Sequence, residues 1–243
     1  MLEKFEQNGL EVPMETTNRL SDGNHPNIQR IVQEKIRDQP SLREKVERIF
    51  YFVRDEIPFG FPPVWDDVKA SKTIEYKIGY CTTKATLFHA LCQASGIPSR
   101  IHTGLIKVQV MRGILPGYAF QFLPEVGSHA WMEIKLNDHW QAIDTYINDQ
   151  AFYEKALHKL ENSGQINGFS ISSEKGPSSC TFNFGEIGFV QMGAVVEDHG
   201  TWDDLSEYMS SGKYTRMSSF QSLAYAWILR HSANKNIRKI RTS

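Results

Sequence analysis

The 243-residue chain has only three cysteines, Cys81, Cys92 and Cys180. Their wide spacing excludes a disulfide framework and a paired Cys-x-x-Cys zinc module. No run of about 18 apolar residues occurs, so no membrane-crossing helix is expected. The start, Met1-Leu2-Glu3-Lys4-Phe5-Glu6, lacks the apolar centre of a secretory signal. Neither sign of charge is in excess: the net charge is −1, which removes the electrostatic bias toward nucleic acid or anionic lipid. Also lacking are internal repeats, a glycine-rich phosphate loop and an Asp-rich calcium loop. No cofactor and no resident metal are therefore expected, unpaired thiols suit a reducing cytoplasm, and the oligomeric state stays open.

What is present is enough apolar content, 40% of the residues, to bury one elaborated core. Within it, Gly79-Tyr80-Cys81-Thr82-Thr83-Lys84-Ala85 sets a cysteine where a helix should begin. The pairs Leu87/Leu91, Phe88/Cys92 and Ala90/Ala94 recur at helical spacing, and Gly96 and Pro98 stop the helix. A thiol in a first turn lies among unpaired N–H groups at the positive end of the helix dipole, which favours the nucleophilic thiolate. Cys81 thus reads as a nucleophile with a depressed pKa. Cys92 lies about 16 Å further along the axis and His89 about 12 Å, too far to share its chemistry.

A base has to come from elsewhere in the chain. Ser128 to Leu136 alternates strictly, with His129, Trp131, Glu133 and Lys135 on one face and Ala130, Met132, Ile134 and Leu136 on the core face. His129 is accordingly expected to point away from the packed side. Asn137-Asp138 signals a turn, and His139 to Tyr146 reads as the returning strand. A two- or four-residue loop sets Trp131 opposite Asp144, which makes His129 and Asp144 diagonal neighbours on one face. A carboxylate there orients the imidazole and stabilises the imidazolium that forms when the thiol is deprotonated. A zinc site built from Cys81, His129 and Asp144 is the weaker alternative, because a helix start suits an ionised nucleophile better.

Residues 1–40 are expected to form an arm and a short helix over Ile28 to Arg37, residues 41–160 the catalytic core, and residues 161–243 an extension packed on it. Ser41-Leu42-Arg43-Glu44 caps a helix that ends at Ile57-Pro58 and packs on the Cys81 helix. The aromatic loop Pro58 to Trp65 either lines a substrate groove or anchors the core. Met111 to Val126, rich in glycine and proline, is either a lid or a plain crossover. Trp65, Tyr80 and Gln121 are candidate side-chain donors to an oxyanion, and Trp131 is a further candidate for substrate contact. Asn162 to Ser179 reads as a flexible connection, Cys180 to Val196 as short strand-like pieces, and Ser219 to about Ile240 as a last helix.

Gly79-Tyr80-Cys81, Gly96-Ile97-Pro98-Ser99-Arg100, His129-Ala130-Trp131-Met132-Glu133 and Trp140-Gln141-Ala142-Ile143-Asp144 resemble, in this order, the transglutaminase-like superfamily of papain-like cysteine enzymes. The likeness runs from about Leu42 to Tyr146. It implies an α+β fold, with a nucleophile-bearing helix on an antiparallel sheet, and a Cys81-His129-Asp144 triad doing acyl-thioester chemistry on a peptide, protein or other amide. The chain lacks the calcium sites and β-domains of animal crosslinking enzymes and the zinc module of peptide N-glycanases. Lys77-Ile78-Gly79 stands where arylamine N-acetyltransferases carry Arg-Gly-Gly. A compact microbial member, most simply a protease or amidase, is the expectation; amine acyltransfer and a non-catalytic scaffold are the alternatives.

Overall fold

The computed structural model describes residues 19–65, 67–186, 188–216 and 230–243. Expectations for residues 1–18 and 217–229 lie outside them. In chain order the elements are α1 (Pro26–Ile31), α2 (Leu42–Tyr51), α3 (Ala70–Tyr76), α4 (Cys81–Ala94), β1 (Ser99–Lys107), β2 (Val126–Leu136), β3 (His139–Ile143), α5 (Gln150–Ser163), the small ribbon β4 (Asn167–Gly168) and β5 (Ile171–Ser172), β6 (Val195–Trp202), α6 (Leu205–Ser210) and α7 (Arg230–Arg241). π-helical turns at Val32–Ile36 and Phe52–Glu56 extend α1 and α2. The fold is α+β: an antiparallel sheet in the order β3-β2-β1-β6, with α4 packed against β1 and β2 and with α2 and α3 against α4.

α4 is the centre of the molecule. Every residue from Thr82 to Cys92 is buried, so its polar side chains need internal partners. Thr86 Oγ1 donates to the Thr82 carbonyl at 2.9 Å, and the His89 ring meets Ser99 Oγ and the Asp203 carbonyl at 2.9 and 3.0 Å. Lys84 Nζ, wholly buried, donates to the carbonyls of Ile147 and Arg54 at 2.8 and 3.2 Å. Burial lowers this ammonium's pKa to about 7, although Asp149 and Asp55 raise it in part. Cys92 has no exposure and its thiol is pushed up to about 12 by burial, the behaviour of a core cysteine.

The hairpin follows the two-residue loop: Leu136 pairs with His139 and Met132 with Ile143. Asn137 and Asp138 take the positive φ values, 46° and 67°, that such a tight turn needs. The far edge of the sheet differs from expectation. Val195 to Trp202 is a full strand paired with β1, with register shifts at Thr103/Gly104 and Leu105/Ile106. The run Glu197-Asp198-His199-Gly200 is polar because it forms an edge, where charge is tolerated and discourages further pairing. His102 on β1 joins this edge to β2, its ring nitrogens lying 2.7 Å from both Glu133 and Asp198. Burial opposes charge on His102, yet the two carboxylates raise its pKa. Within Asn162 to Ser179, the supposed connection holds the β4-β5 ribbon.

Asp149 ties three segments together. Its carboxylate caps α5 through Phe152 N at 3.1 Å, accepts from Phe59 N at 2.9 Å and pairs with both Arg241 Nε and Nη2 at 3.0 and 2.7 Å. Burial opposes ionisation of this carboxyl, but the hydrogen bonds and charge of Arg241, aided by Phe59 N–H and Lys84, hold it below the usual carboxylate range. Asp149→Ala should lower stability to urea by about 3 kcal/mol, since it strands a guanidinium and a buried amide. Because the folded-state pKa is depressed, the wild-type contribution is present above the usual carboxylate range and is lost as pH falls through the lowered value. A variant whose stability matched wild type at pH 7 would refute this role.

Candidate active site

Tyr80, in extended conformation, ends the approach to α4, and Cys81 is its first helical residue. The glycine before it is required. A Cβ on Gly79 would lie 2.8 Å from both Lys84 Cγ and Thr83 Oγ1, closer than any side chain can sit. Gly60 N donates to the Gly79 carbonyl at 2.9 Å and Gly79 N to the Pro58 carbonyl at 3.2 Å, which ties the aromatic loop to the entry of α4. Thr83 Oγ1 accepts the Tyr80 amide at 3.0 Å, satisfying one of the helix's open donors.

The Cys81 thiol is half-buried. It sits beside three backbone N–H groups: its own, that of Thr82, and that of Ala130 across on β2. These amides lower the thiol pKa, but burial outweighs them and, with the charge of Asp144 added, pushes it up to about 11. The expected depression of the thiol is thereby corrected: the helix start does supply donors, but desolvation of a thiolate at this site exceeds their effect.

His129 adjoins Ala130 and is completely buried. The expectation that it faces away from packed protein is also corrected. The outer face of β2 is itself covered, with Trp131 stacked on the His102 ring at 4.3 Å and lying 5.7 Å from the His129 ring, and Glu133 bonded to Arg100 at 2.6 Å. Among the described residues neither nitrogen of His129 has a hydrogen-bond partner, and burial lowers its pKa to about 3.

Asp144 follows β3 directly and has no exposure. The anticipated hydrogen bond to His129 is not made. Asp144 Oδ1 accepts from Val190 N at 2.7 Å, and Oδ2 from Gln191 N and Met192 N at 2.6 and 2.7 Å. Burial raises its pKa to about 6 against these amides. Asp144 and Cys81 both act on the buried Tyr146 hydroxyl, which likewise has no hydrogen-bond partner among the described residues.

Among the other candidate residues, Tyr80 donates its hydroxyl to the Trp65 carbonyl at 2.6 Å and stacks on the Trp65 ring at 4.6 Å, so that donor is committed. Phe61 stacks on Trp65 at 5.9 Å and is buried, an anchor as well as a lining. Gln121 is exposed at the end of a 3-10 turn, Gly117–Gln121. The amides of Ala130 and of Val190 to Met192 were not foreseen; backbone donors leave no signature in side-chain identity, and Gly193 beside them is the one hint. Among the described residues no cluster of His, Cys, Asp and Glu has metal-binding geometry, and no helix is long and apolar enough to cross a membrane.

Residues 29–145 match the profile of the family described as "Transglutaminase-like superfamily". No curated protein matches the chain. Among solved structures, a protein of Cytophaga hutchinsonii named "a Putative Cysteine Protease" is similar over 78% of this chain and 45% of its own length, at 16% identity and a TM-score of 0.48. The chain thus spans less than half of that protein. The matched segment runs from α1 to the residue after Asp144, and Cys81, His129 and Asp144 lie inside it.

Proposed function

We propose that the protein is a cysteine enzyme that forms an acyl-thioester on Cys81 and releases the acyl group to water, as a protease or amidase. The observation that carries this reading is the convergence on one thiol of three backbone N–H groups, two from the head of α4 and one from the residue beside an unpartnered, buried His129. Such donors stabilise a thiolate and then an oxyanion. The superfamily match covers all three residues of the proposed triad.

In the proposed reaction His129 takes the Cys81 proton as sulfur attacks the carbonyl carbon of an amide. The S–C bond forms, the tetrahedral oxyanion is held by backbone N–H groups including that of Cys81, and the C–N bond breaks as His129 returns the proton to the leaving amine. Asp144 orients the imidazole and stabilises its charge. Both partners begin neutral, because burial penalises thiolate and imidazolium alike; the proton moves when bound substrate presents the electrophile. Residues 41–160 supply the nucleophile, base and acid, and the segment beyond 160 completes the site. The substrate class is a peptide, protein or other amide.

Three outcomes follow. With 4-nitrophenyl acetate as probe, wild type should release nitrophenol with covalent acetylation of Cys81, and Cys81→Ala should lose orders of magnitude in rate while remaining folded; full activity in the variant would sink the covalent mechanism. Alkylation of Cys81 by iodoacetamide should accelerate about tenfold per pH unit between roughly pH 7 and 9, whereas a rate flat down to pH 5 would reveal a resting ion pair. A labelled primary amine added to the acylation assay should capture the minor share of acyl groups; predominant capture at modest amine concentration would make the protein an acyltransferase and leave the thioester chemistry standing.

A further inference from the structure

Val190, Gln191 and Met192 aim three successive backbone N–H groups at the carboxylate of Asp144, at 2.7, 2.6 and 2.7 Å. Consecutive amides arranged around one anion form a concave nest, which fixes the anion's position without a countercharge. A carboxylate has about four acceptor directions. Val190 uses one on Oδ1, and Gln191 and Met192 use two on Oδ2, so one direction on Oδ1 lies outside these bonds. Two buried groups of the site lack hydrogen-bond partners among the described residues: the Tyr146 hydroxyl, on which Asp144 acts, and both ring nitrogens of His129.

The nest is itself held in place. Gln191 Nε2 donates to Ser170 Oγ and, at 3.3 Å, to the Ser170 carbonyl. Ser170 Oγ in turn donates to Asn148 Oδ1 at 2.7 Å, and Asn148 Nδ2 returns a bond to the Ser170 carbonyl at 2.9 Å. The Val190 carbonyl accepts from Ser172 N at 2.9 Å, which lashes the segment to β5. The approach at the next position is so close that a Cβ on Gly193 would come within 2.8 Å of Ser172 Oγ. A closed circuit therefore runs from Asp144 through residues 190–192, the Gln191 side chain and Ser170 to Asn148, four residues beyond Asp144.

We propose that this amide nest is the positioning device for Asp144 in the Cys81 reaction, and that Gln191, whose side chain fixes the nest, is a positioning residue of the enzyme. The inference rests on the thioester reading given above. It assigns a role at the site to a segment about fifty residues downstream of the matched core. The nest holds the carboxylate still and ionised, with a single acceptor direction reserved for the imidazole. The ionisable groups bearing on Asp144 are the Cys81 thiol on α4 and the Tyr146 hydroxyl; near pH 6 both are neutral, as is the buried His129 imidazole on β2.

Two measurements test this. In 15N-labelled wild type, the amide protons of Val190, Gln191 and Met192 should lie at low field at pH 8 and move upfield together on acidification, with one midpoint near the Asp144 value of about 6. That co-titration should vanish in Asp144→Asn. Independent or absent titration of the three amides overturns the nest. In the nitrophenyl acetate assay, Gln191→Leu and Ser170→Ala should lower kcat roughly ten- to a hundredfold at unchanged KM, and should move the acid limb of kcat/KM to higher pH, because a looser nest stabilises the carboxylate less. If wild-type acylation depends on Cys81 yet both variants keep the wild-type kcat and pH profile, the positioning role is refuted and the thioester reading survives. Acylation that persists in Cys81→Ala removes that reading instead, while the amide titration still reports on the nest.

Discussion

The site depends on a mismatch of strand lengths. β2 runs from Val126 to Leu136, but β3 pairs only with its last five residues and stops at Ile143. Beyond that stop the backbone of β2 has no strand neighbour on the β3 side among the described residues, and the Ala130 amide is left to face the thiol at the head of α4. A longer β3 would have claimed that donor and closed the space. The same stop releases the chain at Asp144, so the carboxylate turns inward at the end of the hairpin instead of continuing along its face. One truncated strand thus bears on how Cys81, the Ala130 amide and Asp144 lie relative to one another.

Loss of water raises the cost of charge on every group gathered there. Thiol and carboxyl are pushed up and imidazole down, so each resists the charge that the proposed reaction asks of it. Charge separation between neighbours, with proton and electron density moving a short way inside one dry space, avoids exposing either ion alone to that environment. Backbone amides suit this task because they stabilise anions without introducing a cation that would itself need solvent.

Local features were legible in the sequence. The start of α4 at Cys81 follows from helical spacing and a glycine-proline stop, and the pairing of Leu136 with His139 follows from Asn137-Asp138 and strict alternation. Information of that kind sits within a few residues. The partners of Asp144 sit 46 to 48 residues away, in a stretch rich in glycine, and they act through main-chain atoms that any residue possesses. β6 was obscured for another reason: an edge strand with Glu197, Asp198 and Gly200 lacks the apolar alternation of a half-buried one. The burial of His129 was misjudged because alternation identifies two faces and says nothing of what covers the second.

His102 has a further consequence. Its two ring nitrogens meet a carboxylate each, Glu133 on β2 and Asp198 on β6. A neutral imidazole carries a single N–H, so satisfying both carboxylates calls for the doubly protonated ring. Assembly of this corner of the sheet is then a reaction that consumes hydrogen ion when it starts from neutral imidazole. Since the carboxylates raise the folded-state pKa, the clip is fully made below the ring's ordinary pKa and loosens as pH climbs through the raised value. The attachment of the outermost strand therefore responds to the acidity of its surroundings, a variable that neither apolar packing nor the main-chain ladder can sense.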